Sequence, residues 1–214
     1  MDKIILAIET STEICGVSLI KGENILALVE GPSDRRHAEI LPESVQEAMQ
    51  ISKVAFDQIS AIAVSIGPGS FTGLRVGLGF AKGMAYGHDL PIVPVPTLLS
   101  LAYGLSHEKP LKGITHSHSK KIFYQEFLWD NKLPKEKSKV IVGEFDLFID
   151  RMDSGFQSGC DVLIKNKFNL TSIIPSASLV AKLASSNLDK WAIEQPYGLE
   201  PDYIAPFEIH SSAK

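Results

Sequence analysis

An apolar run from Lys3 ends at Glu9 and is followed directly by Thr10, Ser11 and Thr12. A carboxylate with three hydroxyls on one turn can hold magnesium-bound water or meet phosphate oxygens. The bland alternative is a glutamate that merely closes a strand. A second turn, Gly67-Pro68-Gly69-Ser70, follows another apolar run and opens a helical stretch. Backbone N–H groups that point outward at a helix N-terminus attract anions, phosphates among them. The same four residues would also serve simply to reverse the chain. The turn is neither a P-loop, since GxxxxGK[ST] is absent, nor a dinucleotide fingerprint. His116 and His118 stand two residues apart with no third ligand nearby, too few for a metal centre. Gly155 and Gly159 in "SGFQSGCDVL" make a poor adenine clamp, and no catalytic base is evident in the second half.

The elements that must position these groups are legible mainly in the first hundred residues. "KIILAIE", "EICGVSLI" and "NILALVE" read as three strands, the last two joined by the tight turn "KGEN". "SDRRHAEILPESVQEAMQIS" reads as a helix capped by Ser33 or Asp34, with Pro42 forcing a kink or a late start. "ISAIAVSIG" is another strand, and "LPIVPVPT" a short one with Thr97 capping the helix that follows. A hairpin followed by β/α alternation points to an α/β lobe with a mixed sheet. A boundary is expected near Gly104, giving lobes of residues 1–104 and 105–214. In the second lobe "KIFYQEFLW", "KVIVGEF" and "CDVLIK" read as strands, "NKLPKEKSK" as a basic loop and "SASLVAKLASS" as a helix. No internal repeat is evident.

Between Ser65 and Gly87 the chain carries seven glycines. Five fall inside the helical part, where each costs up to ~1 kcal/mol relative to alanine. On a helical wheel Gly79, Gly83 and Gly87 line one stripe, with Gly73 and Gly77 beside it. Val76, Phe80 and Met84 complete that arc, and Leu74, Leu78, Ala81 and Ala85 form a second apolar arc. Only Arg75, Lys82 and Tyr86 make a narrow polar edge. A helix apolar on nearly every side is expected to be covered on nearly every side. One cover is this protein's own sheet; the other is a partner helix that approaches the glycines closely. Both hold if each claims one arc.

Composition bounds the partners. Net charge is −4, with 44% hydrophobic and 21% charged residues, the balance of an ordinary globular protein without a global field for nucleic acid. Cys15 and Cys160 form no CxxC pair, which points to a reducing compartment. The start of the chain has neither signal-peptide nor membrane-span character, so a cytoplasmic protein is expected.

"ILAIETSTEICGVSLI" and, some fifty residues later, "SIGPGSFTGLRVGLGFAKGMA" resemble the TsaB family, also called YeaZ. The resemblance covers residues 1 to about 100. It implies a two-lobed actin-like ATPase (ASKHA, ribonuclease H-like) α/β fold with mixed sheets flanked by helices. It also implies a non-catalytic subunit for making N6-threonylcarbamoyladenosine (t6A) in tRNA, paired with the transferase TsaD and acting with TsaE and TsaC. In that family the first two long helices form the dimer interface. The residues expected there are His37, Ile40, Leu41, Val45, Gly73, Val76, Gly77, Phe80, Gly83, Met84 and Gly87, with a homodimer expected when the chain is alone. TsaD holds a metal through two histidines at i, i+4. Here "HAEIL" keeps His37 but has Leu41 in the second place, so no metal is expected and the older peptidase label loses its support. Glu39, Glu43 and Glu47 form an acidic face that is either solvated or opposite a basic partner. No cofactor of its own is expected, ATP or ADP entering only at the complex interface and tRNA only through the complex. "THSHSKKIFYQEF" replaces the family's "DAR…GEVY", and "PDYIAPFEIH" only echoes its "PxYLR" ending. The competing reading is a small-molecule kinase or ATPase of the same superfamily; a metallopeptidase is a remote third.

Overall fold

Ile4–Glu9 (β1), Ile14–Lys21 (β2) and Asn24–Pro32 (β3) form an antiparallel meander, its second turn opened by Gly22 at φ 61°. Ile59–Gly67 (β4) pairs parallel to β1, and Ile92–Pro96 (β5) parallel to β4, giving the order β3-β2-β1-β4-β5. The computed structural model describes residues 3–164 and 168–204. β1 is apolar from Ile4 to Ile8 because both its faces are covered. Leu6 and Ile8 point into one core with helices α1 (His37–Ser52) and α2 (Phe71–His88). Ile5 and Ala7 point into another with helices α3 (Thr97–Gly104) and α5 (Ala177–Trp191). The period-2 alternation thus sorts the helices into two layers.

The second sheet contains Lys112–His118 (β6), Lys121–Asp130 (β7), Leu133–Glu136 (β8), Ile141–Glu144 (β9), Ser154–Ser158 (β10) and Asn169–Ser172 (β11). Its order is β11-β10-β6-β7-β8, with β9 also pairing β7. β6, β7 and their antiparallel neighbours repeat the meander of the first sheet, and β10 and β11 repeat its parallel pair. The fold is therefore a structural duplication, although no sequence repeat announces it. Where the first copy has α1 and α2, the described residues of the second have a 3-10 segment, Phe145–Arg151, and a single turn, α4 (Asp161–Ile164).

α5 ties the two copies together. The Ser176 hydroxyl accepts from Ser178 N–H at 3.1 Å as the helix cap. The Glu30 carboxylate, from β3, accepts from Ser176 Oγ at 2.9 Å and Ala177 N–H at 3.1 Å. An acid at a helix N-terminus satisfies orphan donors and complements the dipole.

Several local expectations need correction. α1 starts at His37, because Asp34 and Arg35 take left-handed φ values of 48° and 66° and Ser33 bonds to Glu13 O instead of capping. Thr97 sits inside α3 with its hydroxyl buried and unpartnered, and Pro96 holds the cap position. Asp161–Ile164 is helical rather than a strand, and part of the expected basic loop is β8. Residues 205–210 of "PDYIAPFEIH" lie outside the described residues.

Replacing Ser176 by alanine should lower the unfolding free energy by about 1 kcal/mol, read from a urea midpoint shift at constant m.

Candidate functional site

The hairpin between β1 and β2 and the glycine turn before α2 come together, so the two chemically suggestive stretches form one site. Contact is intimate. Ser70 N–H donates to Ser11 O at 2.7 Å, and the Thr10 hydroxyl donates to Gly73 O at 2.9 Å. A Cβ on Gly73 would lie 2.1 Å from Thr10 O, one on Gly77 2.2 Å from Thr10 Oγ1, and one on Gly69 2.3 Å from Ser11 O. No side chain fits in such gaps, so glycine is required at each. Gly73 and Gly77 therefore belong to the chain's own packing.

That packing turns the polar groups of the hairpin inward. Glu9, Thr10 and Ser11 are buried, as are Gly67 and Pro68. Ser11 N–H donates to Glu9 Oε1 at 2.5 Å, while Glu9 Oε2 and Ser11 Oγ have no partner among the described residues. Burial pushes the Glu9 carboxyl above its ordinary value, opposed in part by the nearby Ser11 hydroxyl, the Ser11 N–H and the Ser65 hydroxyl. Thr12, half-buried, accepts from Ile14 N–H at 3.3 Å. Near the helix start, Gly73 N–H donates to Ser70 Oγ at 3.2 Å and Leu74 N–H to Ser70 O at 2.9 Å. Of the eight residues expected to meet phosphate, only Ser70 is exposed. The buried Glu9 carboxylate faces the protein and does not fit a magnesium nucleotide held by this chain alone.

His37 closes the hairpin from the other side. Its Nε2 donates to Thr12 O at 2.9 Å, and the Ser33 hydroxyl contacts the ring while donating to Glu13 O. This histidine packs and positions. Among the described residues no group of three or more His, Cys, Asp or Glu is placed to hold a metal. His116 and His118 are exposed, and His116 Nε2 reaches Ser119 O at 3.1 Å.

The expected interface residues separate into two sets. His37, Leu41, Val45, Gly73 and Gly77 are buried by this chain. Ile40, Val76, Phe80 and Met84 are half-buried. Gly79, Gly83 and Gly87 are exposed, and a Cβ on any of them would meet nothing within 4 Å. α1 and α2 thus leave open a face floored by small residues and rimmed by apolar ones.

Residues 31–124, which include both helices, match the family described as "TsaD: tRNA N6-adenosine threonylcarbamoyltransferase". The protein TsaB of Haemophilus influenzae is 31% identical over 145 residues, 66% of this chain and 58% of that one. TsaB of Escherichia coli is 41% identical over 100 residues, 47% of this chain and 43% of that one. The chain is thus similar to TsaB proteins over most of its length, and to the TsaD family over residues 31–124. These alignments span about half the length of the TsaB relatives. The fold agrees: a Pseudomonas aeruginosa crystal structure, described as similar to the peptidase YeaZ, superimposes with TM-score 0.80 at 21% identity. It covers 95% of this chain and 100% of that one. The mixed α/β fold of two sheets flanked by helices is thus shared with that structure. No helix among the described residues is long and apolar enough to cross a membrane.

Sequence reasoning missed the segment Pro196–Ile204, which returns from α5 to cover the polar edge of α2. Arg75 Nε donates to Tyr203 OH at 2.8 Å and Lys82 Nζ to Tyr197 O at 3.0 Å. The only early signal was the edge itself, Arg75, Lys82 and Tyr86.

Two outcomes follow from this geometry. Gly77→Ala should destabilise by about 1–3 kcal/mol through overpacking against Thr10, whereas Gly83→Ala should stabilise by up to ~1 kcal/mol. Thermal or urea unfolding of both variants separates them. For Glu9 the folded pKa is raised above 4.5, so its contribution is fully present below that value and is lost as pH rises through the folded pKa. Glu9→Gln should therefore gain stability relative to the parent as pH rises, and the two urea midpoints should converge in acid.

Proposed function

We propose that this chain is a non-catalytic subunit of the bacterial t6A synthesis machinery that pairs with the transferase TsaD and supports it. The observation that carries this reading is the open stripe of Gly79, Gly83 and Gly87, flanked by half-buried Val76, Phe80 and Met84. A surface where a Cβ would meet nothing admits a second helix at close range, and burial of its apolar rim supplies the driving force. The family resemblance to TsaD over residues 31–124 supports a pseudo-symmetric pair, in which related faces of two related chains meet. The same face admits a second copy, so the chain alone forms a homodimer that TsaD displaces. TsaE and TsaC act with the pair, tRNA is reached through the complex, and ATP or ADP sits at the interface of the complex.

The inward-facing hairpin supports the absence of independent turnover. An ATPase needs its hairpin acid on the metal side, and Glu9 is fully buried against Ser11. Magnesium-dependent ATP hydrolysis by the pure chain, abolished by Glu9→Ala, would replace this reading with the kinase one.

Mixing the chain with TsaD from the same organism and measuring association by calorimetry tests the proposal. Gly83→Leu should weaken binding by about tenfold or more, while leaving the urea midpoint of the free chain unchanged or higher. Absence of any association with the parent chain, even at low salt, would refute it.

A further inference from the structure

The polar edge of α2 and the segment that covers it make a surface distinct from the glycine stripe. The segment is pinned along its length: Ile193 bridges Ile92, Leu199 enters the core beneath α2, and Asp202 N–H donates to Ile66 O at 2.7 Å. Its aromatic groups nevertheless stay outside. Tyr86 is 77% exposed and Tyr197 65% exposed, and their rings meet edge to face at 6.2 Å. At the other end the Arg75 guanidinium lies 3.7 Å over the Phe71 ring, with Tyr203 beside it. Between the two clusters is a groove of about 340 Å³, lined by Arg75, Gly79, Lys82, Leu199, Glu200 and Tyr203. Gly79 belongs both to this groove and to the open stripe, so the two surfaces are continuous.

We infer that the partner surface of the preceding section continues from the glycine stripe onto this C-terminal strap, with Tyr86 and Tyr197 as aromatic anchors and Arg75 and Lys82 facing carboxylates of the partner. The inference rests on that reading and adds which edge is contacted and by what chemistry. Tyrosine and arginine are the side chains that dominate interface energetics, and here their positions are already held by the strap, which reduces the ordering cost of binding. Charge supplies the orientation. Neither Arg75 nor Lys82 forms an ion pair among the described residues, whereas the exposed face of α1 carries Glu39, Glu43 and Glu47. A partner with an acidic rim toward the strap and a basic rim toward α1 is favoured, and the reverse placement is opposed. With two cations on an acidic chain, a polynucleotide is a poorer fit than a protein rim.

The full chain, TsaD from the same organism and surface plasmon resonance at two salt concentrations test this. The paired substitution Tyr86→Ser with Tyr197→Ser should weaken binding by about tenfold or more, chiefly through faster dissociation. Arg75→Gln with Lys82→Gln should lower the association rate and flatten its salt dependence. If the aromatic pair variant is destabilised, Tyr86→Ser alone keeps every hydrogen bond of the strap and should still speed dissociation. Parental affinity in all the variants, with the parent binding, overturns the inference and leaves the function standing. No binding by the parent overturns both. Binding of tRNA by the isolated chain that both paired variants abolish would assign the edge to RNA and overturn it as well.

Discussion

The arrangement of the first lobe depends on how closely α2 approaches the tip of the β1–β2 hairpin. With Gly73 and Gly77 against Thr10, helix backbone touches hairpin, and the hairpin hydroxyl becomes a ligand for the helix carbonyl at Gly73. That single contact sets the rotation of α2 about its axis. Once Gly73 and Gly77 face inward with Leu74, Leu78, Ala81 and Ala85, the helical period sends Gly79, Gly83 and Gly87 outward. The glycines of one helix therefore have two physical explanations. The inner two cannot be anything larger, while the outer three have no such constraint within the chain. Their helix-propensity cost is offset by no close packing among the described residues, which is the strongest physical reason to look for a cover.

The same approach removes the hairpin from solution chemistry. A carboxyl sealed under a helix start, with one oxygen unpartnered, is an electrostatic burden at neutral pH and is not available to a metal ion. Burial also pushes the neighbouring Cys15 thiol up to about 11, with the Glu9 charge adding to the effect, so this thiol is not poised for nucleophilic work. The Thr10 hydroxyl and the Ser11 carbonyl of the hairpin are committed to holding the start of α2. Rigidity at the hairpin and presentation of α2 are one design.

How much of this was legible in the sequence follows from the range of the interactions. β1 to β4 and α2 announce themselves through unbroken apolar runs and periodicity, and Ser176 reads as a cap because capping is local. The inward glycines could not be told from the outward ones, because that distinction depends on Thr10, more than sixty residues away. The strap was invisible for the same reason: Arg75 and Tyr203 are separated by 128 residues. The start of α1 was misread because Ser33 prefers the Glu13 carbonyl and His37 to the cap geometry, and left-handed Asp34 and Arg35 delay the helix. In the second half, apart from β6, β7 and α5, the strands have four or five residues and α4 is a single turn, so periodicity had little room to show there.

The two sheets share one strand order, yet α1 and α2 have 16 and 18 residues whereas their counterparts are one 3-10 segment and a four-residue turn. Covering a sheet does not require long helices, since the Phe145–Arg151 segment and α4 seal a core containing Ile114, Ile122, Tyr124 and Phe148. Length beyond that need is explained only by the outward faces of α1 and α2. Their inner faces do what the short elements do, and their outer faces carry an acidic row on one helix and a glycine stripe on the other. The short elements over the second sheet present no such faces among the described residues, and the strap Pro196–Ile204 secures the polar edge of α2 through Tyr203 and Tyr197.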